Sequence, residues 1–356
     1  MVRLHKYSGA GNDFVVLDGR TEDVSAFRTP ERIAALCDRE TGFLPGPCPS
    51  APSCHPTPPC HPERSEGSPS FAGLTGESRR GADGLRILTA DPDYDFRMEY
   101  YNSDGSGGMM CGNGGRCIVA FADALGLVPA DGRVFRFVAA DGVHTGEILR
   151  CAQDDRRTRD DRGQSARKTV RLRMIDVRTF HPALDGWFVD TGTRHFVRFV
   201  PDADAVDVET EGRQARWDPI FAPIGANANF VSVDPDGTLR VRTFEKGVEA
   251  ETLACGTGIT AAAIAAFLSG SLPRGCAQAL ERSEVRISGP AGPGTLAKTK
   301  SERGLWPQGV TGGGVAPFKY DIQARIDRLA VEFRPLPDGS GFTDVYLTGP
   351  AEEVGM

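Results

Sequence analysis

Two cysteines sit in the same local setting, far apart in the chain. Cys111-Gly112-Asn113-Gly114 opens into the apolar series Ile118-Val119-Ala120-Phe121-Ala122, and Cys255-Gly256-Thr257-Gly258 opens into Ile259 through Phe267. In each copy the glycines end the preceding strand and an Ala/Ile/Val series takes up helical character, which puts the thiol at or just before a helix N-terminus. Free backbone N–H groups and the positive end of the helix dipole lower a thiol's pKa there. A cysteine so placed can be a nucleophile, a redox centre, a metal ligand or an acid–base group. The flanking glycines let backbone approach a ligand closely, which two merely buried thiols would not need. Cys117 lies on the first helix itself and reads as core.

The alternatives differ in how they use two thiols. A Cys–His thiol hydrolase needs a histidine base, for which His195 in Asp190-Thr191-Gly192-Thr193-Arg194-His195 is the candidate, and it leaves the second cysteine idle. A dithiol redox site usually spaces its cysteines as Cys-x-x-Cys. Equivalent thiols from two similar halves suit proton transfer better: one thiolate takes a proton from one face of a tetrahedral carbon and one thiol returns a proton to the other. The stereocentre inverts. No dinucleotide fingerprint, P-loop or Schiff-base lysine context accompanies the pair, so no cofactor is expected. The helix N-termini would hold the substrate carboxylate and support the carbanion.

The elements that must position these thiols follow from periodicity. Val2–Tyr7, a turn Ser8–Asp13 and Phe14–Asp18 read as strand, glycine-rich turn, strand, and Thr29-Pro30-Glu31 starts a helix through Cys37. Asp95–Tyr101 alternates as a half-buried strand and feeds the turn Asn102–Ser106 before the first cysteine unit; Val134–Val138 is a further strand. The plan recurs with strands at Val170–Met174, Trp187–Asp190, Phe196–Phe199, Phe230–Val233 and Leu239–Phe244 before the second unit, and Leu329–Arg334 and Asp344–Leu347 after it. The expected division is a first half at 1–139 and a second at 140–342, with residues 343–356 packing back on the first.

Composition bounds the rest. A chain of 356 residues can hold two domains with full cores, and a net charge of −7 gives no footprint for nucleic acid or an anionic membrane. The longest apolar run, Ile259 to Leu268, is about half the length that spans a bilayer. Met1 leads into Val-Arg-Leu-His-Lys rather than a secretory signal pattern, and nine irregularly spaced cysteines do not form a disulfide framework. The expected setting is a reducing cytoplasm.

Three stretches break the pattern, at about 44–80, 150–168 and 271–317. The first carries Cys48, Cys54, Cys60, His55 and His61, but it lacks a Cys-x-x-Cys pair, and proline stiffens each Cys-His-Pro step, so no metal is expected. The second interleaves Arg with Asp and lacks stacking residues, which reads as a solvated loop rather than a nucleic-acid patch.

The motifs resemble those of the diaminopimelate epimerase family of cofactor-independent amino-acid epimerases, over almost the whole chain outside the three stretches. They are Gly9-Ala10-Gly11-Asn12-Asp13-Phe14, Gly81-Ala82-Asp83-Gly84, Asn102-Ser103-Asp104-Gly105-Ser106, Met110–Cys117, Ala226-Asn227, Phe244-Glu245-Lys246-Gly247, Glu251–Gly258 and Leu347-Thr348-Gly349-Pro350-Ala351. The resemblance implies an α/β (α+β) fold of two pseudo-symmetric domains, each a curled mixed or antiparallel sheet around a central helix, with the substrate in the cleft between them. It implies a homodimer that interconverts LL- and meso-diaminopimelate for lysine and peptidoglycan precursor synthesis. Carried over by position, Cys111 and Cys255 are the acid–base pair, and Gly112-Asn113 and Gly256-Thr257 bind the reacting carboxylate. Asn12, Asn102, Asn227 and Glu245 hold the distal amino and carboxyl groups.

Some positions depart from the family. Lys246 stands where an arginine is usual, and lysine cannot form a bidentate carboxylate clamp. Thr193-Arg194 replaces Asn-Pro or Ser-Pro before His195, and Ile326-Asp327 stands at a glycine pair. The first stretch also splits Thr41-Gly42-Phe43 from Gly81-Ala82-Asp83, a loop near the substrate in the family. A racemase of another amino acid on the same scaffold is the nearer rival, though Asn113 stands where the proline type carries histidine.

The three stretches share tetrapeptide Glu-Arg-Ser-Glu (63–66, 281–284) and tripeptide Cys-Ala-Gln (151–153, 276–278), consistent with one kind of element inserted three times. Limited proteolysis of the native protein is expected to cut within all three first. Cleavage elsewhere while they stay intact would reject them as insertions.

Overall fold

Helices at four points turn a series of hairpins into two similar curls. In the computed structural model of the protein, residues 2–42, 80–108, 111–150, 167–271 and 317–354 are described. The first half runs β1 (His5–Gly9), β2 (Asn12–Asp18), α1 (Pro30–Cys37), β3 (Gly84–Thr89), β4 (Phe96–Asn102), α2 (Gly112–Ala124), β5 (Val134–Ala139), β6 (Gly142–Leu149) and β7 (Lys168–Arg173). The second runs β8 (Thr179–Ala183), β9 (Gly186–Asp190), β10 (Arg194–Phe199), α3 (Val208–Arg216), β11 (Asn227–Val233) and β12 (Leu239–Glu245). It continues through β13 (Ala250–Thr252), α4 (Gly256–Leu268), β14 (Phe318–Gln323), β15 (Arg328–Pro335) and β16 (Phe342–Glu353).

The internal repeat is written in the strand directions. In the first half β1–β2, β3–β4 and β5–β6 are antiparallel, whereas β2–β3 and β4–β5 are parallel. In the second, β9–β10, β11–β12 and β14–β15 are antiparallel, whereas β10–β11 and β12–β14 are parallel. Parallel neighbours need a crossover, and each of these four joins carries a helix: α1, α2, α3 and α4 in turn.

One strand serves both curls. β16 runs antiparallel to β15, to β7 and, through Glu352 and Glu353, to β1. The pairing β16–β1 closes β1 through β7 and β16 into a ring around α2. In the second half an isolated bridge between Val177 and Phe342 brings the start of β8 back toward β16. From the pairing we propose that the first half extends through β6 and β7.

The central helices are held by packing more than by propensity. α2 starts Gly-Asn-Gly-Gly, poor helix formers, yet every residue from Gly112 to Ala122 is buried. α4 is apolar on all sides and buried from Gly258 to Leu268, as a helix enclosed by sheet must be. Its Phe267 meets Phe318, Phe333 and Phe342 edge-on, with ring centroids at 4.8, 5.8 and 5.7 Å.

Most expected elements are present, and α1 starts as its sequence implies, with the Thr29 hydroxyl accepting from the Arg32 N–H at 3.3 Å and proline following the cap. The sequence reading missed α3, β6, β8, β13 and β14, and it shortened β16. The three anomalous stretches lie outside the described residues but for their edges, as do Cys48, Cys54, Cys60, His55 and His61. Among the described residues no helix is long and apolar enough to cross a membrane, and no group of three or more His, Cys, Asp or Glu side chains is placed to hold a metal.

Phe267→Ala should lower the unfolding free energy by about 3–5 kcal/mol, because it empties a fully buried ring site that cannot collapse easily. Val128→Ala, at a position 79% exposed, should cost under about 0.5 kcal/mol. Urea titration checks both; equal costs would mean that the ring cluster is not the second half's core.

Candidate active site

Cys111 and Cys255 are the N-cap residues of α2 and α4, both with extended backbone (φ −106°, ψ 149° and φ −109°, ψ 109°). The two helix ends meet. A Cβ added to Gly256 would lie 3.3 Å from the Gly112 Cα and 2.9 Å from Leu347 Cδ2, and one added to Gly112 would lie 2.7 Å from the same methyl. Leu347, on the shared strand β16, is the floor beneath both N-termini. Only glycine leaves room for that approach.

The two thiols differ in their surroundings. Cys111 is half-buried, and its Sγ accepts a hydrogen bond from the Gly114 N–H at 3.2 Å. Cys255 is 6% exposed, and its Sγ lies 3.4 Å from the Thr257 hydroxyl. Burial, and after it the Glu245 carboxylate, pushes the Cys255 thiol well above its ordinary value; the Thr257 hydroxyl and the Gly258 N–H pull the other way and lose. The expectation that a helix N-terminus lowers each thiol's pKa therefore does not hold for Cys255. Desolvation outweighs the two hydrogen bonds.

Asn113 ties the halves together rather than standing free. Its Nδ2 donates to Asn12 Oδ1 and, at 3.0 Å, to the Ala254 carbonyl just before the second cysteine, while its Oδ1 accepts from Arg116 Nη2 at 2.9 Å. Asn12 in turn donates to Asp83 Oδ2 at 3.0 Å. On the other side, the Thr257 hydroxyl meets Cys255, Thr193 Oγ1 at 3.0 Å and His195 Nε2 at 3.0 Å. Asn227 accepts from the Lys246 N–H at 2.6 Å and lies 3.5 Å from His195 Nε2. Glu245 is half-buried at the end of β12, and burial, with Asp83 of the first half adding to it, raises its pKa.

The structure thus gathers Cys111, Gly112, Asn113 and Asn12 on one side and Cys255, Gly256, Thr257, Asn227 and Glu245 on the other. Asn102 stands further out: it opposes Gly84 across β3–β4 and donates to Ser106 Oγ at 2.9 Å within its own turn. Lys246 contributes its backbone, and its side chain is exposed. Arg194, at an atypical position, turns away to the Phe221 carbonyl at 3.1 Å. Ile326 packs against the first-half turn at Gly11 (φ +93°), where a Cβ would come within 2.5 Å of its Cδ1. That contact gives the departure at this position a role in joining the halves.

Sequence reasoning missed Asp83 as the partner of Asn12, Leu347 as the floor, and Arg86 and Tyr100 beside Cys111. The signal for Arg86 was present, as one charged residue inside the otherwise apolar run Leu85–Leu88 of β3.

His195 is fully buried, bonded to Asn229 Nδ2 at 3.1 Å through Nδ1, and burial drops its pKa to about 3. It stays neutral and reaches Cys255 only through the Thr257 hydroxyl. A histidine whose folded pKa lies below its unfolded 6.5 binds a proton in the unfolded chain first. Its contribution to stability is therefore whole above pH 6.5 and is lost as pH falls toward 3, with a slope of at most about 1.4 kcal/mol per pH unit. The loss of stability between neutral and acid pH should be smaller in His195→Gln than in the parent, as measured by denaturant titration; an identical loss would place the acid sensitivity elsewhere.

The chain is similar in sequence and in fold to known proteins. The family model for diaminopimelate epimerase matches residues 75–149 and 187–303. The diaminopimelate epimerase of Chlorobaculum tepidum is 36% identical over 74% of this chain and 83% of its own, and that of Flavobacterium psychrophilum is 33% identical over 99% and 98%. Among solved structures, the Bacillus anthracis phenazine biosynthesis protein of the PhzF family superposes with a TM-score of 0.56 at 11% identity, covering 99% of this chain and 97% of that one, a likeness of fold. With a family match over more than half of its length and a relative aligned nearly end to end, this chain belongs to the diaminopimelate epimerase family.

Proposed function

We propose that the protein epimerises LL-2,6-diaminopimelate to meso-diaminopimelate without a cofactor, by two-base proton transfer between Cys111 and Cys255, in lysine and peptidoglycan precursor synthesis. The observation that carries the reading is the meeting of two helix N-termini, each capped by a cysteine, across a floor that only glycine can approach. Two positive helix ends converging on one spot form a site for an anion, and a carboxylate on the reacting carbon fits it.

In this reading one sulfur, as thiolate, takes the α-proton: the C–H bond breaks, an S–H bond forms, and the electron pair stays on carbon. The opposing thiol then gives its proton to the other face and becomes the thiolate. Backbone N–H groups at Gly112-Asn113 and Gly256-Thr257 hold the carboxylate and stabilise the carbanion. Asn12, Asn102, Asn227 and Glu245 hold the distal amino and carboxyl groups, and Lys246 supplies a single cationic contact rather than a bidentate clamp. Glu245, beside Cys255, would also stabilise the distal ammonium. A neutral His195 keeps Thr257 oriented and takes no proton, which disfavours a Cys–His hydrolase. The reading includes a cytoplasmic homodimer.

Incubation with LL-diaminopimelate in deuterated water, followed by NMR, should show deuterium at one α-carbon together with meso product. Cys111→Ala and Cys255→Ala should each reduce turnover by at least about 10³-fold, since each removes one of two obligatory proton carriers. Full activity in either variant would reject the two-base reading, and exchange only with another amino acid would move the substrate within the same scaffold.

A further inference from the structure

A cation is buried where the helix dipole makes a cation unwelcome. Arg86, on β3, is fully buried, with its guanidinium carbon 3.3 Å from the Tyr100 ring centre and 4.1 Å from that of Phe14. Its Nη1 donates to the Leu85 and Tyr101 carbonyls, both at 2.9 Å, and its Nη2 lies 3.9 Å from Cys111 Sγ. The remaining edge lies over the first turn of α2: a Cβ on Gly114 would come within 2.6 Å of Nε and 3.0 Å of Nη2. Nε has no hydrogen-bond partner, and no carboxylate pairs with this guanidinium among the described residues.

A buried guanidinium beside the positive end of a helix calls for a negative charge. Cys111 Sγ is the group that both face. From β4 the Tyr100 phenol adjoins the same sulfur, and burial first, then that sulfur, keeps it protonated. From α2 come the buried Arg116 and the neutral Cys117 thiol, and from the start of α4 the Cys255 thiol. The neighbouring carboxylate, Glu245, stands beside Cys255 instead. The charges around the two sulfurs are therefore opposite in sign.

We propose that Arg86 is a positioning residue that places the negative charge of the thiol pair on Cys111 rather than on Cys255. This rests on the two-thiol reading above and adds a polarity to it. Cys111 is then the sulfur ready to take a proton from the first substrate bound, and Cys255 the one ready to give. After a turnover in that direction the charge has moved to Cys255, and it returns to Cys111 by proton exchange before the next.

Iodoacetamide alkylation of the unliganded protein, read at each cysteine by peptide mass spectrometry across pH, tests the inference without substrate. Arg86→Met, which keeps the bulk between the two rings, should slow alkylation of Cys111 at neutral pH by about tenfold or more, with the rate recovered as pH rises. Arg86→Lys, which keeps the charge, should stay within about threefold of the parent. A folded Arg86→Met protein with the parent's Cys111 profile would overturn the proposal. So would a loss equal at every pH, which is the mark of altered access, or an unchanged profile with only KM raised, which would make Arg86 a substrate ligand. Should Arg86→Met not fold, thiolate absorbance at neutral pH decides: it should vanish in Cys111→Ser and persist in Cys255→Ser, and the reverse pattern overturns the assignment. Deuterium exchange that proceeds normally alongside a failed alkylation result sinks this inference alone and leaves the epimerase reading standing.

Discussion

Two helix N-termini that meet end to end make the constraint on which the rest of this structure depends. Each carries roughly half a positive charge on unpaired N–H groups, and like ends repel. Such an arrangement persists only if the chain supplies anions or acceptors at the join, or leaves the join for a ligand. The protein does both. Cys111 Sγ accepts from the Gly114 N–H and the Thr257 hydroxyl lies beside Cys255, and in the proposed reading the backbone of Gly112-Asn113 and Gly256-Thr257 takes the substrate carboxylate.

The same constraint explains the glycines and the shared strand. Leu347 sits under both ends because β16 runs through both curls, so one side chain sets the separation of the two helices. Asn113 then locks the halves in register through Asn12 and the Ala254 carbonyl. A small shift of either half would move one cysteine relative to the other, and proton transfer from opposite faces tolerates little displacement. Pairing the site residues with the strand that joins the halves makes the separation of the sulfurs a property of the core rather than of a loop.

Polarity is built by burial as much as by charge. His195, Cys255 and Glu245 all shift in the direction desolvation dictates, and on the second half's side of the site the histidine and the thiol stay uncharged beside the Glu245 carboxylate. The first half's side holds two fully buried guanidinium groups, Arg86 and Arg116, within reach of the Cys111 region. Two sites that look alike in sequence thus differ in electrostatics.

What the sequence by itself determined is the repeat and the pair. Glycine-flanked cysteines before Ala/Ile/Val runs announce helix N-termini, because helix start signals and apolar periodicity are local, and the strands around them alternate legibly. α3 escaped notice because Val-Glu-Thr-Glu-Gly-Arg-Gln-Ala-Arg shows little apolar period; it is held by its Asp207 cap and by burial of Val208 and Ala215 against the sheet. β16 read as four residues because Gly349 and Pro350 interrupt its pattern, and only pairing with β7 carries the strand through them. Tertiary structure alone decided that the two cysteines meet, that Leu347 lies beneath them, that Asp83 supports Asn12, and that Arg86 and Glu245 stand on opposite sides. These contacts join residues tens to hundreds of positions apart, and no local propensity encodes them. They follow from how two curls close on one shared strand.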